Sequence, residues 1–209
     1  MKPTSNNTIR PILIGITGGI GSGKSYICHQ LEQTGHHVFY CDDVAKQIIR
    51  TQADVKRELT ALVGPDVYDA AGQLVKSVLA AYLCRGTDYS HRIDQIVHPR
   101  VAAAFKQQAA LLRPSTPTTL ECDEKVISLQ QLQQLPTDGV LFMECALLFE
   151  SGFDQLVDKS VVVHVSQETQ LKRLIGRDHI SREKALRWIS LQLAEDVKVD
   201  RADYVINNE

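Results

Sequence analysis

The feature that most narrows the possible folds is Gly18-Gly19-Ile20-Gly21-Ser22-Gly23-Lys24-Ser25, which satisfies the pattern G-x-x-x-x-G-K-[ST]. It stands between a β-branched apolar run at 12–17 and a segment at 24–33 whose apolar Ile27 and Leu31 fall four apart. The chain therefore passes from a buried strand through the loop into a helix, which Gly35 closes. Glycines allow the positive φ values that turn successive backbone N–H groups inward, making a concave anion nest at the positive end of a helix dipole. A triphosphate fits such a nest, with Lys24 reaching the β- and γ-phosphates and the Ser25 hydroxyl taking one position on a Mg²⁺ ion. All eight positions and both flanks are in order, which argues against a glycine turn that only joins a strand to a helix. The loop predicts nucleotide binding and leaves open what is done with the nucleotide.

A second strand is expected at 38–41, so strand, loop, helix and strand follow within about 30 residues, a βαβ unit with a right-handed crossover. Residues 44–112 read as largely helical, broken at Gly64-Pro65 and Ala71-Gly72, and form a stretch able to lie over the sheet as a cap. Residues 113–139 differ, because Pro114, Pro117 and Pro136 bracket Ser, Thr and Gln; this is a loop-rich insertion with one short helix near 128–135. Strands resume at 140–143 and 160–165, the latter followed by a helix capped by Ser166 with Glu168 in its first turn. Another helix starts at Ser181 and runs to about residue 192, and 204–206 makes a last strand. The alternation predicts an α/β fold of the P-loop nucleotide-binding type. Its doubly wound parallel sheet has about five strands in one domain spanning 1–209.

Composition removes several function classes. A formal net charge of -2 and a pI near 6.4 leave no global excess of Lys and Arg, so neither nucleic acid nor a membrane surface is an expected partner. Cys28, Cys41, Cys84, Cys122 and Cys145 are odd in number and contain no C-x-x-C pair, which points to reduced thiols and a cytoplasmic location. Residues 1–10 are polar and lack a signal-peptide core, and no run approaches the ~18 apolar residues of a spanning helix. Apart from His98, the histidines, including His36 and His37, show no metal-ligand spacing and read as surface or strand-edge residues.

Several residues are placed to do chemistry. In an open α/β sheet ligands sit beyond the carboxyl ends of the strands, so Asp42 and Asp43 should face the same crevice as the loop. Either accepts the proton of an acceptor hydroxyl, or the pair caps the helix that follows. Arg173 and Arg177, four apart, either close over the phosphates, with a hinge at Gly176, or pair on a solvated helix face with Glu168 or Asp178. Glu144, at the end of a buried strand, either holds the metal through water, with Glu150 as its rival, or, like Glu150, only caps a loop. His98 either touches the acceptor or is a structural imidazole before a proline.

The unbroken T-G-G-I-G-S-G-K-S at 17–25 resembles the opening signature of the dephospho-CoA kinase family. Tyr40-Cys41-Asp42 is similar to its Asp-Ala-Asp element, His98-Pro99 to the His-Pro closing its first cap helices, and Leu147-Leu148-Phe149-Glu150 to its P-L-L-F-E, with Ala146 for proline. Gln170-Leu171-Lys172-Arg173, Arg177-Asp178 and Gln192 resemble its lid region at 166–193, and Ala202-Asp203 through Asn208 its adenine-side ending, so the resemblance spans nearly the whole chain. It implies transfer of the ATP γ-phosphoryl to the 3′-hydroxyl of dephospho-CoA by a monomer or weak homo-oligomer using Mg²⁺. Asp42 would be the base, with Lys24 and Arg177 stabilising charge. ATP would contact Gly19, Ile20, Gly21, Ser22, Gly23, Lys24, Ser25, Tyr26, Arg173 and Asn208. The acceptor would contact Asp42, His98 and Leu148, and the metal Ser25 and Glu144. The chain departs from the family pattern in three places: Tyr40 replaces the first acidic residue, 113–139 is longer than the usual connection, and the chain stops at Glu209 where relatives continue with a helix. Nucleoside, nucleotide or shikimate kinases share the loop but not His98-Pro99 or the L-L-F-E element; a guanine-nucleotide switch would show N-K-x-D, which is absent. A nucleotide-binding module without chemistry is supported only by Tyr40.

Overall fold

A computed structural model describes residues 9–209; the N-terminal residues 1–8, read above as part of a polar start without a signal core, lie outside the described residues. The chain divides into two compact units, Met1–Phe39 with Gln108–Glu209, and Tyr40–Gln107.

The first unit is built on a five-stranded parallel sheet in the order β2-β3-β1-β4-β5, with β1 Ile12–Thr17, β2 His37–Tyr40, β3 Val140–Glu144, β4 Lys159–His164 and β5 Tyr204–Asn207. The central β1 pairs with β3 from Ile12↔Val140 to Ile16↔Glu144 and with β4 from Ile14↔Lys159 to Thr17↔Val162. Ile14, Ile16, Leu141, Phe142, Val161 and Val163 are fully buried, as expected for strands covered on both faces. The chain runs outward from β1 to β2, returns to β3, and crosses to β4 and β5 on the other side. Strand order thus reverses at β1, and the loop after β1 opens at this switch point.

Helix α1, Lys24–Gln33, closes with Gly35 N–H on Glu32 O and His36 N–H on Leu31 O, the paired back-bonds of a Schellman end. His36 is buried, not a surface residue: its ring contacts the Leu31 and Leu135 carbonyls and lies edge-on to Phe142, tying α1 to the segment before β3. The loop-rich insertion is joined to the sheet. Val126 bridges Val205 in parallel, and α6, Leu129–Gln133, begins with a capping box between Ser128 and Gln131. After β4, α7 Gln167–Asp178 is capped by Ser166 and α8 Arg182–Ser190 by Ser181, as expected. The expected hinge at Gly176 is instead a position inside α7, which ends at His179 in the left-handed conformation (φ 51°). A short helix not anticipated, α9 Glu195–Arg201, precedes β5.

The second unit is helical. α2 Cys41–Thr51, α3 Ala53–Val63, α4 Lys76–Leu83 and α5 Thr87–Leu111 pack Ile48, Val55, Leu59, Tyr82, Val97 and Phe105 into a core. Arg100 on α5 bonds both Asp54 and Glu58 of α3, and the Tyr68 hydroxyl donates to Ile49 O. Two expectations change here. Helix α2 begins at Cys41, not after Asp43, so Asp42 and Asp43 lie inside its first turn, where their charge suits the dipole, and neither caps it. His98-Pro99 does not close a helix but sits in the middle of the 25-residue α5, which continues through Pro99 despite the lost N–H bond and the crowding of the preceding turn. Among the described residues no helix is long and apolar enough to cross a membrane.

Candidate functional site

The loop between β1 and α1 owes its shape to two glycines in particular. Gly23 holds φ 95° as it enters α1, a left-handed conformation that a side chain resists. Gly18 lies so close to the Val163 carbonyl that a Cβ there has no room. Ser22 N–H closes a turn onto Gly19 O at 3.0 Å.

Lys24 is buried, and its Nζ donates to Gly18 O at 2.7 Å and Gly19 O at 3.3 Å, so the ammonium is folded over the loop. Burial pushes its pKa below the ordinary lysine value; Glu144 opposes that shift, and Lys198 adds to it. Glu144, buried at the carboxyl end of β3 opposite Ile16, is the stronger of two acidic influences on the loop lysine, the other being Glu195. Its rival Glu150 is exposed and accepts from Leu193 N–H at 3.0 Å. Ser25 is exposed in the first turn of α1, followed by Tyr26 with 59% of its surface open.

Side chains from distant segments brace the loop. Arg173 donates to Ser22 O at 3.2 Å, Gly21 O at 3.4 Å and Asn208 O at 2.7 Å, and Asn208 Nδ2 donates to Ser22 O at 2.8 Å. Gln192 Oε1 accepts from Ile20 N–H at 2.7 Å, which ties the exit of α8 to the loop. Gln170 and Glu195 press on Gly19. Arg173 thus takes neither of its expected acidic partners and instead fixes loop carbonyls.

Other expected residues sit differently. Arg177 forms a bidentate pair with Asp178 at 2.8 and 2.9 Å, its side chain 61% exposed, and Asp178 holds its pKa above the ordinary value. Leu148, expected on the acceptor side, is fully buried with its methyl groups over Gly15 of β1, where it supports the strand that carries the loop. In the second unit Asp42 is exposed, and His98 is half-buried with Nε2 3.4 Å from Asp94.

Sequence reasoning missed two residues. Lys198 is fully buried on α9, its Nζ has no hydrogen-bond partner among the described residues, and burial lowers its pKa against the pull of Glu150 and Glu195. Glu195 reaches His164 Nδ1 at 3.4 Å. Both belong to α9, whose seven residues carry too few apolar positions to announce a helix.

Among known proteins, the family model described as dephospho-CoA kinase matches residues 12–122 and 125–209. A dephospho-CoA kinase of Bacteroides fragilis (strain YCH46) is 35% identical over 198 residues, covering 95% of this chain and 85% of that protein. One from Fusobacterium nucleatum is 32% identical, covering 94% and 89%. Of solved structures, TT1252 from Thermus thermophilus superposes with a TM-score of 0.72 at 27% identity, covering 96% of this chain and 90% of that one. A dephospho-CoA kinase from Campylobacter jejuni shares the fold at a TM-score of 0.60 and 21% identity, covering 94% and 87%. With a family match over nearly its whole length on a sheet that ends in a braced phosphate loop, the chain belongs to the dephospho-CoA kinase family.

Proposed function

We infer that the protein transfers the γ-phosphoryl group of ATP to the 3′-hydroxyl of dephospho-CoA, giving CoA and ADP, the last step of coenzyme A synthesis. The observation that carries this reading is a buried lysine folded over a glycine loop at the sheet's switch point, in a chain with dephospho-CoA kinase relatives along nearly all its length.

The loop amides would hold the α- and β-phosphates, and Lys24 would exchange its bonds to Gly18 O and Gly19 O for bonds to the β- and γ-phosphates. That exchange is favourable because a desolvated ammonium gains more from an anion than from two carbonyls. Asp42 would accept the proton of the 3′-hydroxyl as its oxygen bonds to the γ-phosphorus and the bond to the bridging oxygen of ADP breaks. Arg173 would keep the loop in shape, and Arg177 would leave Asp178 to neutralise charge on the transferring group. We assign acceptor binding to 44–112, with His98 on that side, and closure to the lid at 166–193.

The donor set suits Mg²⁺, which takes a few hard oxygens from protein and the rest from phosphate and water: the exposed Ser25 hydroxyl and the Glu144 carboxylate next to Lys24. Bound with ATP, the ion would offset the charge of the β- and γ-phosphates. The five free thiols fit a reducing cytoplasm.

A coupled ADP assay with dephospho-CoA, AMP, shikimate and no acceptor tests the reading. ADP should form with dephospho-CoA and hardly at all in the other three arms. Equal rates with and without acceptor would mean hydrolysis, and a preference for AMP or shikimate would reassign the substrate.

A further inference from the structure

Lys198 takes no part in the phosphoryl transfer, yet it is fully buried on α9 and its Nζ has no hydrogen-bond partner among the described residues. An ammonium held out of water without a bond is costly unless nearby charge offsets it. The offsetting charge is Glu195, three residues earlier and so on the same face of α9. Glu195 Oε2 lies against the phosphate loop, so close to Gly19 that a Cβ there would meet it at 3.0 Å, and Oε1 is 3.4 Å from His164 Nδ1. Glu195 also lines a cavity of about 360 Å³ whose walls include His164, Gln170 and Gln192.

A carboxylate at this place works against the loop, because a negative charge beside Gly19 repels a polyphosphate. Lys198 supplies the opposite sign. Its field reaches the loop itself: burial is the main cause of the low Lys24 pKa, and Lys198 adds to it while Glu144 and Glu195 oppose it. Glu150, the other carboxylate that acts on Lys198, is exposed and already accepts from Leu193 N–H. Lys24, Glu144, Glu195 and Lys198 are thus two cations and two carboxylates around the loop. Their charges cancel with Lys198 in place, and without it one negative charge is left facing the phosphates.

We propose that Lys198 is a positioning residue of the phosphate site: its buried ammonium balances the Glu195 carboxylate that lies against Gly19, so that the loop accepts a polyphosphate beside a carboxylate. The proposal rests on the reading of the loop as the ATP site. Lys198 touches neither nucleotide nor acceptor and acts by offsetting Glu195.

Calorimetric titration of the full chain with Mg-ATP and with Mg-tripolyphosphate tests this, because charge at the phosphate end moves both ligands alike. Lys198→Met, which keeps the buried stem, should weaken both about 10-fold, the order of one uncompensated charge at an effective dielectric of about 20. Glu195→Gln should tighten both about threefold, and the double variant should return to within about threefold of wild type. A packing role for Lys198 predicts no such opposite signs. The proposal is overturned if Lys198→Met stays within about twofold of wild type or spares tripolyphosphate, if Glu195→Gln does not tighten binding, or if the double variant is as weak as Lys198→Met. Should Lys198→Met fail to fold, the Glu195→Gln arm decides alone: tighter binding supports the proposal, and unchanged or weaker binding overturns it. Wild-type protein that binds neither ligand would instead sink the loop reading.

Discussion

The phosphate loop and the helical unit Tyr40–Gln107 commit their polar side chains in opposite ways. Around the loop, Lys24, Arg173, Asn208 and Gln192 all bond loop backbone, and they arrive from α1, α7, the end of β5 and the exit of α8. In the helical unit the bonding goes to Arg100 with Asp54 and Glu58, while Asp42 stands exposed in the first turn of α2. The loop is therefore a preorganised binding element, and removing a side chain that braces it from a distant segment, such as Arg173, should disturb binding and fold together. Asp42 lies exposed at the start of a helix, so its replacement should affect chemistry alone.

Four substitutions can break or sharpen that contrast. Lys24→Met keeps the buried stem and removes the ammonium; kcat/KM should fall about 1,000-fold or more in the coupled assay. Because a desolvated charge is lost with it, the melting temperature should hold or rise. Asp42→Asn should lower kcat about 100-fold with KM for ATP within about twofold, a split that a disturbed loop could not give. Arg173→Ala removes a charged donor from two loop carbonyls and Asn208 O. KM for ATP should rise about 10-fold and the melting temperature fall by about 4 °C, whereas Arg177→Ala, which breaks only an exposed pair, should leave melting unchanged.

The smallest effect concerns pH. Burial raises the Asp158 carboxyl pKa, but bonds from the Arg10 guanidinium and Leu13 N–H outweigh it and hold the group below its ordinary value of 3.8. A carboxyl depressed in the fold stabilises above its unfolded value and loses that contribution as pH falls through the folded one. Asp158→Asn should therefore cost at most about 1 kcal/mol at neutral pH, since Arg10 is largely exposed, and the difference from wild type should vanish in strong acid, as read by urea melts across pH.

Local patterns made much of the fold legible. The run at 12–17, Lys24–Gln33 with Gly35, and the Ser166 and Ser181 caps all act through neighbours in sequence, and the structure has those elements where the residues put them. What sequence could not reveal depends on contacts between distant segments. His36 is buried because Leu135, 99 residues on, offers a carbonyl, and Leu148 is core because Gly15 leaves it room. Residues 125–127 read as loop and pair with β5, since a parallel edge contact leaves no periodic signature in three residues. For the candidate site, the motif at 18–25 announced Lys24 and its loop, but not Arg173 as a brace or Lys198 as a buried charge; neither role follows from spacing.

The account turns on where the γ-phosphorus goes. Phosphorus-31 NMR of a reaction containing ATP, magnesium, dephospho-CoA and wild-type enzyme should show the γ resonance replaced by a phosphomonoester on the acceptor ribose, one for each ADP formed. Inorganic phosphate in its place, with dephospho-CoA unchanged, would contradict the account.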